Sequence, residues 1–303
     1  MKKLFLLLVL AISLPIFMVG CTKSQASLTA ELDPTIRVYN TSLKTTSEMP
    51  IEDYVAGVVA GEVYNSWNEE ALKTQCILAR TFALKYASDN PEIYKEKGIS
   101  TNIADAQSYD ESTINEAIKA ACEATRGQIL TYNDQIIDAY FHSNSGGKTA
   151  FASEGFLTDQ NPEYIKSVSS PETSLNSKNY SWRYEFSKSE VLTALDKLGI
   201  SLSNISSASL GEKSENGFYK NVVIGGKTIN AIKLRTALGT TKMRSIKLTK
   251  FTISGDNLVV EGLGYGHGVG VSQWGAKILA DQGKTYKEIL DYYYNNVEIK
   301  TLY

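Results

Sequence analysis

An α+β fold is predicted for this chain, a mixed helical and antiparallel-sheet body with a smaller lobe and a cleft between them. Two observations predict it. Helical patterns crowd the stretch from Pro50 to Arg126 and hairpins follow, instead of the strand-by-helix alternation that a parallel sheet needs. The hairpins carry two-residue turn signals, Asn133-Asp134 and Gly225-Gly226 among them. With 303 residues, 43% hydrophobic and 21% charged, the chain can bury one large core or two lobes, divided near residue 150. No internal repeat is evident.

Thr35 to Asn40 reads as a strand. Pro50 opens a helix at its first position, running Ile51 to about Ala60. Ser66-x-x-Glu69 reads as a capping box for a second helix, whose apolar face is Leu72, Cys76, Ala79, Ala83 and Tyr86. Ser88 to Asp110 is polar and reads as irregular. A third helix spans about Ser112 to Arg126, with Ile114, Ala117, Ile118 and Ala121 on one face and Gly127 closing it. Gln128–Thr131 and Gln135–His142 form the first hairpin, and Ser143 to Gly147 is a polar loop. Ser187 to Leu198 is helical and stops at Gly199. A hairpin turns at Gly225-Gly226, and another joins Ile246–Ile253 to Leu258–Glu261. Helices at about Ala276–Asp281 and Tyr286–Asn295 precede a last strand, Val297–Leu302.

The N-terminus stands apart from the fold. Lys2-Lys3 precede an apolar run from Leu4 to Val19, and Met18-Val19-Gly20-Cys21 resembles a bacterial lipobox. Residues 1–20 are therefore expected to be a signal peptide, Cys21 a lipidated anchor and residues 21–34 a tether, leaving 35–303 as the folded body. That makes the mature protein extracytoplasmic and held to the outer face of the membrane. Two cysteines remain, Cys76 and Cys122, each on a helical apolar face. Buried thiols are the plain reading, and a bond between them does not follow from spacing.

Net charge is −2, which offers no broad basic surface for nucleic acid. Tyrosine outnumbers phenylalanine 18 to 9, a bias that suits polar, sugar-facing grooves as well as half-buried sheet. There are two histidines. His142 ends a strand entering Ser143-Asn144-Ser145-Gly146-Gly147. His267 lies in Gly262–Gly270, where glycine takes five of nine positions. In an extended segment that spacing bares one face to a ligand, or to a crowded structural crossing. A Ser145–His142 hydrolase is disfavoured, because the chain has no G-x-S-x-G elbow and nothing orients the base. No C-x-x-C occurs, so neither metal nor cofactor is expected. Glu62 follows a helix end, whose dipole raises a carboxyl pKa, with Val63, Tyr64 and Trp67 nearby to desolvate it. On chemistry alone it is indistinguishable from a solvated corner carboxylate such as Glu69 or Glu70.

Longer motifs separate these readings. Pro50–Glu62, Glu69–Gln75 with Ala79–Ala83, Ala124–Gly127, Ala139–His142, Ser145–Thr149 and Gly266–Ala276 together resemble the SpoIID/LytB family, in order and over about Arg37 to the C-terminus. The resemblance implies lytic transglycosylase activity on peptidoglycan, with Glu62 on the catalytic position. One Glu would protonate the bond between N-acetylmuramic acid and N-acetylglucosamine, then take the muramic 6-hydroxyl proton to close a 1,6-anhydro ring. It also implies a substrate-lining role for Gln75, Arg80, Tyr140, His142, Ser145, Gly146, Gly147, His267, Gly268, Gln273 and Trp274, with Arg80 the strongest candidate for a buried strut.

The chain departs from the family pattern at Val63-Tyr64, at Asn68 and at Ala106-Gln107-Ser108-Tyr109, which lacks the cysteine of relatives that carry a metal there. Some members enhance a cell-wall amidase, so an amidase partner and a non-catalytic role are the second expectation. A hydrolytic muramidase would want a second carboxylate, for which Asp105, Asp110 and Asp138 are candidates.

Overall fold

Helix α2 (Glu69–Asp89) organises the packing, because two hydrophobic clusters meet on it. In this computed structural model residues 33–102 and 105–303 are described, so the leader, Cys21 and most of the tether lie outside them. The expected face of α2, Leu72, Cys76, Ala79 and Ala83, is buried against Ile36, Val38, Tyr54, Val55, Val58, Ile118 and Cys122. The opposite side contributes Ala71, Ile77 and Leu78 to the larger cluster. A helix wrapped on both sides loses its polar stripe, which fits its burial of even Gln75 and Arg80.

The smaller cluster is closed by α1 (Ile51–Glu62), α4 (Glu116–Ala124) and the edge sheet of β1 (Thr35–Asn40), β2 (Thr45–Pro50) and β3 (Ile99–Ser100), in order β2-β1-β3. Helix α3 (Pro91–Lys97) lies between. The remaining sheets pack in the larger cluster. Strands β4 (Gln128–Tyr132) and β5 (Gln135–Ile136) form the first hairpin, with Asn133 and Asp134 at φ 49° and 64°, as a mirror-type turn demands.

Next in the chain come β6 (Phe141–His142), α5 (Ala152–Gly155), β7 (Ser181–Ser187) and α6 (Lys188–Lys197). Strands β8 (Ala208–Leu210), β9 (Asn221–Ile224) and β10 (Lys227–Asn230) make a meander that feeds α7 (Ala231–Leu238). Strands β11 (Leu248–Ser254) and β12 (Asn257–Leu263) pair with β7 on the far side of β12. The chain ends through β13 (Val271–Ser272), α8 (Gln273–Asp281), α9 (Tyr286–Tyr293) and β14 (Glu298–Thr301), which pairs antiparallel to β4. The class is α+β, as expected. The larger cluster runs from Ala71 to Tyr294 through Ala139, Ala150 and Ala152, so no break in the core falls near residue 150. No described helix is long and apolar enough to cross a membrane.

Several expectations are corrected. Helix α2 is capped by Asn68, whose Oδ1 accepts the Glu70 N–H at 2.9 Å, and not by Ser66. Ser88 to Asp110 is not irregular throughout, because Pro91 starts α3 at the position where its missing N–H is harmless. The third helix begins at Glu116, after a 3-10 turn at Glu111–Thr113, and Ala117 faces solvent. Gln135–His142 is not one strand, because β6 leaves the hairpin to pair in parallel with β13. Strands β2 and β7 and helix α7 were not anticipated. β2 is Thr-Thr-Ser-Glu-Met-Pro, an exposed edge strand with no apolar alternation to announce it.

Arg80 proves to be a strut. Its guanidinium forms a two-pronged pair with Glu52, including Nε to Oε1 at 2.8 Å, and its Nη1 donates to the Gln128 carbonyl at 3.0 Å. Tyr303 Oη and the Gly127 N–H also donate to Glu52, at 2.6 and 3.2 Å. Four distant parts of the chain thus meet on one buried ion pair. Removing one partner of such a pair strands the other charge, at a cost of about 3–5 kcal/mol. Arg80→Met is expected to lower unfolding stability by about that much in urea titration, and a loss below about 1 kcal/mol, the worth of a surface ion pair, would contradict the strut.

Candidate active site

Glu62 is the last residue of α1, which runs two residues beyond the expected end, and it stands on the floor of a cleft of about 430 Å³. That lies within the roughly 300–1,000 Å³ typical of ligand sites. Val63, Tyr64 and Trp67 line the cleft with it, joined by Asp110, Thr113, Ser143, Asn179, Gln273 and Trp274. Trp67 and Trp274 meet edge to face at 5.3 Å between ring centres, Tyr64 packs against both, and the Lys178 ammonium sits 5.1 Å from the Tyr64 ring centre. One wall is therefore aromatic and the floor carries a carboxyl group.

Two donors hold that carboxyl. The Ser108 N–H reaches Oε1 at 2.8 Å, and Gln273 Nε2 reaches Oε2 at 3.2 Å. Burial raises the pKa of Glu62 above the ordinary carboxylate range, and the two hydrogen bonds only partly offset this. Gln273 Nε2 also donates to Gln75 Oε1 at 3.4 Å, while Gln75 Nε2 is buried without a partner.

The Ser108 contact depends on what α1 lacks. A Cβ at Gly61 would stand 2.8 Å from the Tyr109 nitrogen, and one at Gly57 would stand 2.2 Å from the Tyr109 ring. The two glycines, one turn apart, leave a notch in which residues 108–110 lie, fastened by the Asp110 N–H to the Gly57 carbonyl at 2.9 Å.

Gln273 is placed from the other end of the chain. It opens α8, whose N-cap Ser272 accepts the Gly275 N–H at 3.3 Å. Ser272 Oγ donates at 2.6 Å to Glu172 Oε1, which also accepts from Ser145 Oγ at 2.6 Å and the Ser145 N–H at 2.8 Å. Burial alone would raise the Glu172 pKa, but the hydroxyls of Ser145, Ser170 and Ser272 hold it below the usual value. Glu172 is thus a buried carboxylate that joins the Ser145 loop to the start of α8.

The residues expected along a cleft therefore divide. Glu62, Gln273 and Trp274 line it, with Gln75 directly behind Gln273. Arg80 does not reach it. Ser145 is buried 2% exposed on Glu172, and Gly146 lies behind it, its N–H on Asn144 Oδ1. The Gly147 N–H donates to Ser145 Oγ at 3.2 Å. His142 Nδ1 faces the Val269 carbonyl at 3.1 Å, so it does not pair with Ser145. Burial pushes His142 down to about 4 and His267 well below its ordinary value, so both are neutral at neutral pH. His267 packs on Phe156 at 4.7 Å, with Tyr140 and His142 around it, as an aromatic cluster outside the cleft lining.

The glycine-rich segment is a crossing and not a bare extended strand. Gly270 has φ 72°, and a Cβ there would stand 2.0 Å from the Tyr140 carbonyl oxygen. Gly268 likewise packs against the Phe218 ring. The close approach lets β13 lie beside β6 and so aims Gln273 at Glu62.

Of the three candidate second carboxylates, Asp110 alone lines the cleft. Its Oδ1 accepts from the Ser112 N–H at 3.0 Å and Ser112 Oγ at 2.6 Å, and its Oδ2 from Thr113 Oγ1 at 3.2 Å. Those hydrogen bonds hold its pKa below the ordinary value. Asp105 bonds Ser100, and Asp138 bonds Tyr164. Among the described residues no group of three or more His, Cys, Asp or Glu is arranged to hold a metal ion. Sequence reasoning missed Ser108, Glu172, Ser143 and Asn179; Gly57 and Gly61, four apart on a helix, were the available sign of a close approach.

Comparison with known proteins agrees with the motifs. The family model described as SpoIID, stage II sporulation protein, matches residues 39–132, a stretch that contains Glu62, Gln75 and Ser108. Stage II sporulation protein D of Bacillus subtilis (strain 168) is 33% identical over 91% of this chain and 82% of its own length. Its namesake in Bacillus amyloliquefaciens is 32% identical over 92% of this chain and 82% of its own. An amidase enhancer of Bacillus subtilis is 28% identical over 78% of this chain, but over 39% of its own length. On the extent of these matches, the chain belongs to the SpoIID family.

Proposed function

We propose that this protein is a lytic transglycosylase that cleaves peptidoglycan glycan strands at the cell wall during sporulation, with Glu62 as its acid and base. The observation that carries the proposal is the Glu62 carboxyl in the cleft, whose pKa is raised by burial while two donors fix its position. A carboxylic acid that keeps its proton nearer neutrality can donate it to a glycosidic oxygen. The carboxylate left behind can then accept the 6-hydroxyl proton of the muramic residue, so the ring closes without water. Both states of Glu62 can be satisfied. If the Gln273 amide turns over, its carbonyl faces a protonated Oε2, and Gln75 can turn its unpartnered Nε2 to that same carbonyl.

The aromatic wall of Tyr64, Trp67 and Trp274 suits the apolar faces of sugar rings. The hydrogen bonds from Ser112 and Thr113 lower the pKa of Asp110, which makes it a weaker base for activating water. The N-terminal pattern supports export and lipid anchoring at Cys21 on the outer face of the membrane. A second reading is a wall-binding enhancer of an N-acetylmuramoyl-L-alanine amidase, favoured by the similarity to the amidase enhancer. It would use the same cleft without needing the Glu62 proton.

Mass spectrometry of peptide-stripped glycan strands incubated with the chain and with Glu62→Gln separates these readings. The parent is expected to yield 1,6-anhydro-muramic ends, and the variant to lose about 10²- to 10⁴-fold in rate. Reducing ends would mean hydrolysis, and strands bound but uncut by either protein would favour the enhancer.

The pH profile is a separate check. The first step needs protonated Glu62, so activity should fall as pH rises through its raised pKa. Gln273→Leu removes a hydrogen bond that lowers that pKa, and should move this alkaline limb to higher pH. An unmoved limb with only a weaker KM would assign Gln273 to binding alone.

A further inference from the structure

We propose that Cys76 and Cys122 form a structural disulfide that locks α4 onto α2. The two sulphurs lie 3.1 Å apart inside the smaller core cluster, at 0% and 4% exposure. A bond of about 2.05 Å needs them to close by only about 1 Å. They are 46 residues apart in sequence, and the segment between them carries α3 and the Ser108 N–H that holds Glu62. Cys76 also directly follows Gln75, which backs Gln273. The bond would therefore fasten together the two helices between which the Ser108 loop is strung.

The chemistry is thiol–disulfide exchange with a low-molecular-weight disulfide or an extracytoplasmic thiol oxidase. One cysteine thiolate attacks the oxidant's disulfide and releases one thiol. The second thiolate then displaces the other half, leaving the Sγ–Sγ bond, two released thiols and the oxidant reduced by two electrons. Contact between the two thiols and burial raise the Cys122 pKa, so thiolate is scarce once the cluster has closed. The bond is thus expected to form during folding, before α4 seats. Once made, the same burial shields it from reductants.

The full chain can be refolded with either oxidised or reduced glutathione, then denatured and alkylated with iodoacetamide. The oxidised preparation should show Cys76 and Cys122 unlabelled, and a peptide pair joined between them. It should melt on the order of 5–10 °C above the reduced preparation, given the length of loop closed. Cys122→Ala should abolish that redox dependence of Tm while still folding. Free, labelled thiols after oxidative refolding, or equal melting temperatures for the two preparations, would overturn the proposal. Neither readout depends on glycan cleavage, so the result is separate from the assignment of Glu62.

Discussion

The arrangement depends on one carboxyl group gripped from opposite ends of the chain. Ser108 lies 46 residues from Glu62 and Gln273 lies 211 residues from it, yet each supplies a hydrogen bond to one of its oxygens. Burial pushes the group towards its acid form while the two donors favour the carboxylate. The balance leaves a group that can hold and release a proton, as acid–base chemistry requires. Anything that moves α1, the 108–110 loop or the start of α8 changes that balance.

Much of the remaining structure serves that grip indirectly. Gly57 and Gly61 notch α1 so that Ser108 can approach. Gly270 lets the last third of the chain cross closely over Tyr140, and Glu172 fastens the Ser145 loop to Ser272, immediately before Gln273. The Arg80–Glu52 pair anchors α1 and α2 beneath. Buried polar groups of this kind contribute a fixed geometry, provided each is satisfied. Most here are. The unpartnered nitrogen of Gln75 sits where a change of amide orientation would be useful.

How much of this was legible in the sequence follows from what each feature writes there. The face of α2 and the hairpins at Asn133-Asp134 and Gly225-Gly226 show as apolar spacing and turn residues, whereas of the face expected for the third helix only Ile118 and Ala121 are buried on α4. The edge strand β2 shows no apolar alternation, with only Thr46 and Met49 half-buried along it, and α3 buries no residue fully, so no apolar face marks it in the sequence. Glu62 was picked out by its surrounding motif and not by its own chemistry. The two hydrogen bonds that fix it come from partners more than forty residues away. Ser108 acts through its backbone N–H, which leaves no mark in any side-chain pattern. Glu172 lies in a polar Ser-Ser-Pro-Glu-Thr run that reads as solvated loop, although it is 1% exposed. The glycine-rich segment serves a backbone crossing, and the residue that lines the cleft, Gln273, comes one position after β13.

The central claim is that Glu62 is a carboxyl group kept protonated above the ordinary range by the site that holds it. Carbon-13 NMR of the glutamate side-chain carboxyls through a pH titration tests this most directly, with the Glu62 signal assigned by its loss in Glu62→Gln. A midpoint clearly above about 4.3, the ordinary glutamate value, is the predicted result. A midpoint at or below that value would show that the two hydrogen bonds outweigh burial, leaving Glu62 ionised and without the proton that the first step requires.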